Sequence, residues 1–398
     1  MKKIDRKKFL NNLGLMTTAA FITPAAFAAA NSPMAGNVSP IVPLQKKTRV
    51  GVIGCGSVST KYLPHLSKSP FVEIVSVCDI VPSRAQDAAK KHNVANWYPH
   101  IDKMLAGAPF DLLVNLTNMQ EHGRLNKIAI NAGKHVWSEK PMANSYAEGV
   151  ELLNLAEKKG TRLWGAPAVV NSPQFAFMAK QLNENKLGRV AAAHASYGHE
   201  GPTWSAFFYE KNGGSIPDLG VYNLVTLTGL LGPAISVVAM TNVITPERKV
   251  DDKGTVKVEA EDNSHILLEH KGGALSHIQC GFNYYNPNGH EGKDDYSTLS
   301  ITGNAGTMDM IGYDWHPLGV EIGLKGKPGK ERLSEDKGDF VWEQGASVIS
   351  EALSTGKEPL INVKHALHVL EIMEGVKKSQ EQGKRIALQS TFKWPVVG

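Results

Sequence analysis

The chain has 398 residues, and because single domains usually hold roughly 100–200 residues, this length predicts two domains. Hydrophobic residues make up 42% and charged residues 20% of the chain, a composition that is typical of packed globular proteins and excludes disordered or fibrous ones. Most of the formal net charge of +5 comes from the first 30 residues, and the nearly neutral remainder argues against nucleic acid or an anionic membrane as a partner.

Residues 1–30 have the three parts of an export signal. Basic residues at 2–8 precede an uncharged, largely apolar stretch at 13–23, and residues 26–28 read Ala-Phe-Ala, a small-x-small cleavage site. Residues 6–10 read Arg-Lys-Lys-Phe-Leu and resemble the twin-arginine leader, with lysine in place of the second arginine. Since the apolar stretch is shorter than the roughly 20 residues that span a bilayer, we expect a periplasmic protein without a stable membrane anchor. The twin-arginine route is favoured, and an ordinary secretory leader is the alternative.

Residues 31–47 are rich in Pro, Ser, Asn and Gly and have no apolar period, so we expect a linker or a surface arm. From Thr48 onward, short apolar runs alternate with amphipathic helical stretches. The apolar runs lie at residues 49–53, 72–78, 112–116, 135–137 and 162–164. This alternation is typical of a parallel sheet with helices on both faces, and it predicts a Rossmann domain over residues 48–167.

After the first domain the pattern changes to longer alternating segments at 265–269, 274–280, 299–302 and 307–311. Alternation of this kind predicts strands with one buried and one exposed face, so we expect an open, mostly antiparallel sheet. Gly272 and Gly273 predict a hairpin turn. Two helices are predicted at 340–354 and 364–382. Residues 168–398 should therefore form a second, α+β domain, which places the whole chain in the α/β class.

Residues 54–59 read Gly-Cys-Gly-Ser-Val-Ser and stand where the first apolar run ends and a helix begins. In this G-x-G-x-x-S pattern Gly54 permits a tight turn, and Gly56 lets backbone amides approach a pyrophosphate at the helix N-terminus. Ser59 replaces the usual third glycine. We therefore predict that Gly54, Gly56, Ser57 and Val58 bind a dinucleotide.

Asp79 ends the second apolar run, at about the 20–25 residues beyond the glycine loop where a carboxylate binds the adenosine ribose. Such a carboxylate repels a 2′-phosphate, which favours NAD over NADP as the cofactor. Nearby Arg84 could soften that preference and is also predicted to contact the cofactor. The alternative is that Asp79 only caps the following helix.

Further segments resemble the Gfo/Idh/MocA oxidoreductase family, and the likeness runs from about Thr48 to the C-terminus. Residues 133–141 read Gly-Lys-His-Val-Trp-Ser-Glu-Lys-Pro and are similar to the family's G-K-H-V-x-x-E-K-P signature. Residues 117–122 read Thr-Asn-Met-Gln-Glu-His and are similar to its T-P-x-x-x-H, with Asn118 where proline is usual. Residues 213–222 are similar to its G-G-x-x-x-D-x-G-x-[HY], and their final tyrosine resembles the glucose-fructose oxidoreductase-like members.

The resemblance implies roles for the residues that match these motifs. It implies cofactor contacts by Thr117, Asn118, His122, Glu139 and Lys140. It also implies a cis peptide bond between Lys140 and Pro141.

Catalysis is expected from Lys140, Asp218 and Tyr222. Hydride transfer between a sugar carbon and nicotinamide requires a positioned cofactor and a group that moves a proton. We predict that Tyr222 is the general acid/base, that Lys140 stabilises its phenolate and donates to the substrate oxygen, and that Asp218 orients a neighbouring hydroxyl. The roles of Lys140 and Tyr222 could be exchanged. The alternative for Glu139 and Lys140 is a solvated pair at a strand end, and for Asp218 a helix cap.

Four residues between these segments, His199, Trp204, Phe208 and Tyr209, could form a lid or a sugar-stacking wall. Core or surface packing is the alternative for most of them. The three cysteines lack metal-ligand spacing and the histidines are scattered, so we predict no metal site.

These observations together predict a periplasmic oxidoreductase that acts on a small carbohydrate, either a sugar, a glycoside or a cyclitol, with tightly held NAD. One alternative is an NAD-dependent glycosidase that oxidises its substrate transiently, and another is a non-catalytic sugar-binding protein. Family resemblance alone implies a homodimer or homotetramer formed through the exposed face of the second sheet.

Overall fold

The computed structural model describes residues 46–285 and 295–397, so the predicted export signal and nearly all of the predicted arm lie outside the described residues. The first sheet contains six strands: β1 Thr48–Ile53, β2 Val72–Cys78, β3 Asn96–Tyr98, β4 Leu112–Asn115, β5 His135–Ser138 and β6 Leu163–Gly165. Their order is β3-β2-β1-β4-β5-β6, and every pairing is parallel. The predicted Rossmann sheet is confirmed.

Helices cover both faces of this sheet, which explains why its central strands are mostly apolar. Leu112, Leu113 and Val114, three successive residues of β4, are all 0% exposed. The connecting helices are α1 Ser59–Lys68, α2 Pro82–His92, α3 Ile101–Ala106, α4 His122–Asn131 and α5 Tyr146–Lys158. The carboxyl ends of the parallel strands meet at one edge of the sheet, where the predicted cofactor motifs begin.

The second sheet contains nine strands: β7 Val190–Gly198, β8 Ala234–Asn242, β11 Asn263–His270, β12 Leu275–Gly281, β13 Ser297–Gly303, β14 Gly306–Tyr313, β15 His316–Leu324, β16 Glu331–Leu333 and β17 Ile386–Ala387. Their order is β16-β15-β14-β13-β7-β12-β11-β8-β17, and only β7 and β12 pair in parallel. A separate hairpin is formed by β9 Glu247–Val250 and β10 Gly254–Lys257. The mostly antiparallel prediction is confirmed, as is the turn at Gly272–Gly273, where Gly273 has a φ of +84°.

One face of the second sheet is covered by helices, and the other is exposed. The remaining helices are α6 Pro173–Asn183, α7 Val221–Leu231, α8 Gly345–Thr355 and α9 Val363–Gln382. Along β11, Ile266 and Leu268 are buried while Leu267 is 53% exposed, as the alternating pattern predicts. None of the described helices has both the length and the apolar character needed to cross a membrane.

Helix α8 follows β16 of the second sheet in the chain but packs on the first sheet. The Thr48 hydroxyl donates a hydrogen bond of 2.9 Å to the carbonyl oxygen of Ser350, and His65 Nδ1 lies 2.9 Å from the Ser347 hydroxyl. The C-terminal part of the chain therefore supports the strand and helix on either side of the glycine loop.

Candidate active site

The glycine loop joins β1 to α1 at the carboxyl edge of the first sheet. Gly54 has a φ of +90°, and its N–H donates to the carbonyl oxygen of Cys78 at 2.8 Å. A Cβ at Gly54 would lie 2.6 Å from the backbone carbonyl of Leu116. Only glycine fits this turn, for both conformational and steric reasons.

Gly56 lies beside open space instead. No heavy atom lies within 4 Å of the position that a Cβ would occupy there. Helix α1 begins at Ser59 without a side-chain cap, and the N–H groups of Thr60 and Lys61 bond the carbonyl oxygens of Ser57 and Val58. The N–H groups of residues 56–59 are therefore the donors that remain for a ligand. Ser57 is exposed beside them. This arrangement of open space, helix N-terminus and unpaired donors fits a pyrophosphate.

Asp79 fixes the second strand end to the glycine loop. Its carboxylate is 7% exposed and accepts hydrogen bonds from the N–H of Cys55 and the N–H of Val81, both at 2.8 Å. The bond to Val81, immediately before α2, means that Asp79 also acts at the start of that helix. Arg84 is exposed on the first turn of α2. Both residues stand on the predicted cofactor side.

His122 is placed differently from the other predicted cofactor residues. Thr117 is half-buried and Asn118 is exposed at the end of β4, whereas His122 is 1% exposed. Its Nδ1 lies 2.7 Å from the carbonyl oxygen of Pro141 and its Nε2 lies 2.9 Å from that of Thr117. Burial lowers the pKa of His122, partly offset by the two carbonyls. The buried ring thus links the loop after β4 to the loop after β5.

Glu139 and Lys140 are not a solvated pair, so that alternative is wrong. Glu139 is 5% exposed, and its two oxygens accept from the Tyr62 hydroxyl at 2.6 Å and the Lys140 N–H at 3.0 Å. Tyr62 lies on α1 and is 0% exposed. The glycine-loop helix and the predicted catalytic lysine are thus linked by one buried carboxylate.

Lys140, Asp218 and Tyr222 come together at the same edge. Lys140 Nζ donates to Asp218 Oδ1 at 2.6 Å and to the Asp218 carbonyl oxygen at 2.8 Å. It also lies 5.3 Å from the centroid of the Tyr222 ring. The Lys140 and Asp218 side chains are 12% and 13% exposed, and Tyr222 is 9% exposed. The Lys140–Pro141 bond is cis, as the resemblance implied.

A π-helix at Ile216–Gly220 carries Asp218 and continues directly into α7, which carries Tyr222. π-Helical turns are frequent at functional sites, where they change the direction in which the following side chains point. Asp218 is engaged with Lys140, so the helix-cap alternative does not account for its contacts.

The surroundings of Tyr222 oppose ionisation of its phenol. Burial raises the pKa of Tyr222 well above its usual value, and the charges of Glu139 and Asp218 act in the same direction. The Lys140 ammonium bonds Asp218 and lies over the Tyr222 ring, and its stabilisation of the Tyr222 phenolate stays a prediction.

Three aromatic residues near Tyr222 were missed by sequence reasoning. The Tyr197 ring lies 6.0 Å from that of Tyr222, 4.9 Å from that of Tyr313 and 6.1 Å from that of Trp315. Tyr313 and Trp315 stack with a centroid distance of 5.4 Å. They come from β7, from the end of β14 and from the β14–β15 turn, and no local motif marks them.

The aromatic wall predicted from residues 199–209 is mostly packing. Phe208 is 6% and Tyr209 is 1% exposed, and both pack near Phe282. Trp204 is 50% exposed and covers Phe208, while His199 lies 6.2 Å from Tyr197. Within residues 46–285 and 295–397, no group of His, Cys, Asp or Glu side chains is arranged to hold a metal ion.

Comparison with known proteins gives two family matches. Residues 48–166 match the oxidoreductase family with an NAD-binding Rossmann fold, and residues 175–309 match the Gfo/Idh/MocA C-terminal domain. A scyllo-inositol 2-dehydrogenase (NADP⁺) from Bacillus subtilis is 28% identical over 232 residues, which cover 56% of this chain and 70% of the relative.

Solved structures agree on the fold. An aldose-aldose oxidoreductase from Caulobacter crescentus, complexed with glycerol, has a TM-score of 0.74 at 18% identity and covers 86% of this chain and 100% of its own. A dehydrogenase from Bordetella pertussis, in complex with NADH and UDP-GlcNAcA, has a TM-score of 0.69 at 21% identity over 86% of this chain and 99% of its own. The two consecutive family matches cover the first sheet and much of the second, which is more than half of the chain, and the chain therefore belongs to the Gfo/Idh/MocA family of oxidoreductases.

Proposed function

We propose that this protein transfers a hydride between a CH–OH carbon of a sugar, glycoside or cyclitol and a bound nicotinamide. The observation that supports this most is the Lys140–Asp218 pair beside Tyr222, at the sheet edge that carries the glycine loop. A hydride donor or acceptor and a proton-moving group would then share one cleft. The names of the relatives, which act on inositol and aldoses, support the carbohydrate class.

The contacts divide the chemistry among three side chains. Bound nicotinamide supplies the hydride acceptor. Two of the N–H groups of Lys140 bond Asp218, and we assign the third to the substrate oxygen. For the alcohol to be oxidised, Lys140 must first pass a proton to the Asp218 carboxylate, so that its neutral amine can turn its lone pair to the substrate oxygen and accept the hydroxyl proton. Because burial keeps Tyr222 protonated, Tyr222 serves as an O–H donor. Lys140 and Tyr222 therefore exchange the roles that the sequence first suggested for them.

Replacing Lys140 by Met tests this assignment. We expect turnover to fall by about 1,000-fold, since proton transfer by a positioned group contributes roughly 10²–10⁴-fold. The measurement is nicotinamide absorbance near 340 nm during challenge with a panel of sugars and cyclitols, after mass spectrometry of the cofactor released on denaturation. Lys127→Met, at an exposed ion pair with Glu151, is the control that should keep full turnover.

Near wild-type turnover in Lys140→Met would refute the assignment. The reaction products distinguish the oxidoreductase from the glycosidase alternative. A keto-sugar supports the oxidoreductase, whereas net hydrolysis without a redox change supports the glycosidase. Bound cofactor that no sugar reduces would favour a binding protein.

We propose NAD as the preferred cofactor. The Asp79 carboxylate lies at the end of β2, where it would repel the 2′-phosphate of NADP. Both of its oxygens bond backbone N–H groups, so the charge is held in place. Dissociation constants for both dinucleotides provide the test, and tighter binding of NADP would reverse the proposal.

We also propose export to the periplasm and assembly with a second copy of the chain. The first half of this proposal rests on the leader at residues 1–30. The second is supported by the exposed apolar side chains on the open face of the second sheet, with Met240 at 77%, Leu275 at 57% and Leu267 at 53% exposure. Cell fractionation tests the export, and a cytoplasmic wild-type protein would contradict it. Sedimentation velocity of the wild type and of Met240→Lys tests the assembly, and a monomeric wild-type protein would contradict it.

A further inference from the structure

The turn between β14 and β15 inserts into the protein instead of facing solvent. Two residues, Asp314 and Trp315, connect the strands. Turns of this length usually carry exposed polar residues. Here Asp314 is 1% exposed and Trp315 is half-buried against Tyr197. The turn therefore contacts the helix that carries Tyr222.

Asp314 bonds two residues of α7. Its Oδ2 accepts a hydrogen bond from Asn223 Nδ2 at 3.0 Å and another from the Thr226 hydroxyl at 2.9 Å. Asn223 directly follows Tyr222 in the chain. The two contacts lie one helical turn apart, so they fix both the position and the rotation of this part of α7.

The buried carboxylate of Asp314 has no cationic partner, because among the described residues it forms no ion pair. The groups that bond it are neutral donors: the Thr226 hydroxyl, the Asn223 amide and the backbone N–H groups of Trp315 and Asp314. Burying a carboxylate without a cation is costly, and hydrogen bonds from neutral groups do not replace one. Asparagine could make hydrogen bonds of the same kind without a charge. A role that uses the negative charge would explain the carboxylate.

The surroundings suggest which group responds to that charge. Tyr222 on α7 and Tyr197 on β7 both have their pKa raised, first by burial, and Asp314 adds to the increase in each. Other groups that act on Tyr222 are Glu139 at the end of β5 and Asp218 on the π-helix, with Lys140 over its ring. Burial raises the pKa of Asp314 itself to about 6, so it is ionised above neutral pH.

We propose that Asp314 is a positioning residue of the active site, which holds α7 in register and keeps the Tyr222 phenol as an O–H donor toward the substrate oxygen. The part concerning the substrate rests on the function proposed above. The part concerning Tyr222 is a property of the folded protein and can be measured without any substrate.

The experiment compares Asp314→Asn with wild type by NMR titration of protein labelled with ¹³C at the tyrosine ζ position, the Tyr222 signal being assigned with Tyr222→Phe. We expect Tyr222 to ionise at a lower pH in Asp314→Asn than in the wild type. The alkaline limb of the kcat profile should move in the same direction, with kcat about 10-fold lower. The matched control is Asp309→Asn, since Asp309 is also a buried aspartate, lies on β14 and pairs with Lys330. This variant should change neither the Tyr222 titration nor the kcat profile.

An unchanged Tyr222 titration in folded Asp314→Asn would overturn the proposal. A shifted titration in a protein that oxidises no carbohydrate would leave it standing and refute the proposed function instead. Thr226→Val removes one contact to Asp314 and keeps its charge, so kcat should fall several-fold with little change in the titration. If Asp314→Asn does not fold, unchanged kcat in Thr226→Val overturns the positioning role.

Discussion

The side of this site that is proposed for the cofactor (the cofactor side) and the side that is proposed for the substrate (the substrate side) are built in different ways. The cofactor side consists of the loops that follow β1, β2, β4 and β5, which meet at one edge because the strands are parallel. It is fixed largely by backbone geometry, such as the turn at Gly54 and the amides held by Asp79. The substrate side is a set of side chains from separate strands and turns, held by one another. Backbone-defined sites tolerate few substitutions at glycine, whereas side-chain clusters can be altered one contact at a time.

The sharpest way to break the cofactor side is Gly54→Ala. The alanine Cβ would lie 2.6 Å from the Leu116 carbonyl, and the residue would keep a φ of +90° that L residues rarely adopt. We expect a loss of roughly 3 kcal/mol or more in unfolding free energy, combining strain and overpacking, together with loss of cofactor binding. Urea denaturation and calorimetric titration with NAD measure the two effects.

Gly56→Ala is the matched comparison, two residues away. Because nothing lies within 4 Å of the added methyl group, the unfolding free energy should change by less than about 0.5 kcal/mol. Cofactor binding should still weaken, since the methyl group would occupy space assigned to the pyrophosphate. Equal destabilisation by both substitutions would contradict the distinction between the turn and the ligand position.

Trp315→Phe tests the substrate side with a smaller change. The indole stacks on Tyr313 at a centroid distance of 5.4 Å and faces Tyr197. A smaller ring should therefore loosen the packing of these aromatic side chains beside Tyr222. We expect KM for the sugar to rise about 10-fold, equivalent to roughly 1.4 kcal/mol, with NAD affinity unchanged. Steady-state kinetics and NAD titration separate the two sides, and a parallel loss of NAD affinity would show that they are coupled.

The contrast also explains what the sequence could predict. Gly54, Asp79 and Lys140 could be placed because parallel strands bring their carboxyl ends to one edge, so motif order implies proximity. Tyr197 and Trp315 could not be placed, since their meeting depends on the register of a sheet whose pairings join distant segments. The raised pKa of Tyr222 could not be predicted from the motifs for a related reason. It is set mainly by burial, which a motif does not reveal.

Glu261 offers the smallest and most specific test of the substrate side. It lines a cavity of about 390 Å³ behind Pro141 and Pro217, and its Oε1 accepts the N–H of Ile216 at 2.8 Å, at the start of the π-helix. Burial raises the pKa of Glu261 to about 7. Because the pKa in the folded state exceeds that of the unfolded chain, stability should be greater at low pH and lost as pH rises through about 7.

Glu261→Gln keeps an acceptor for Ile216 and removes the charge that burial disfavours. Relative to wild type, the variant should gain about 1–2 kcal/mol of unfolding free energy between pH 5.5 and pH 8.5, measured by urea denaturation at both values. Glu374→Gln, at the same cavity, is the control. Its carboxyl pKa is lowered by the hydrogen bond from Lys378, so Glu374 stays ionised at both pH values and should contribute no pH dependence between them. A flat difference for Glu261→Gln would mean that the carboxylate is solvated through the cavity, and that the π-helix bearing Asp218 is held without a buried charge.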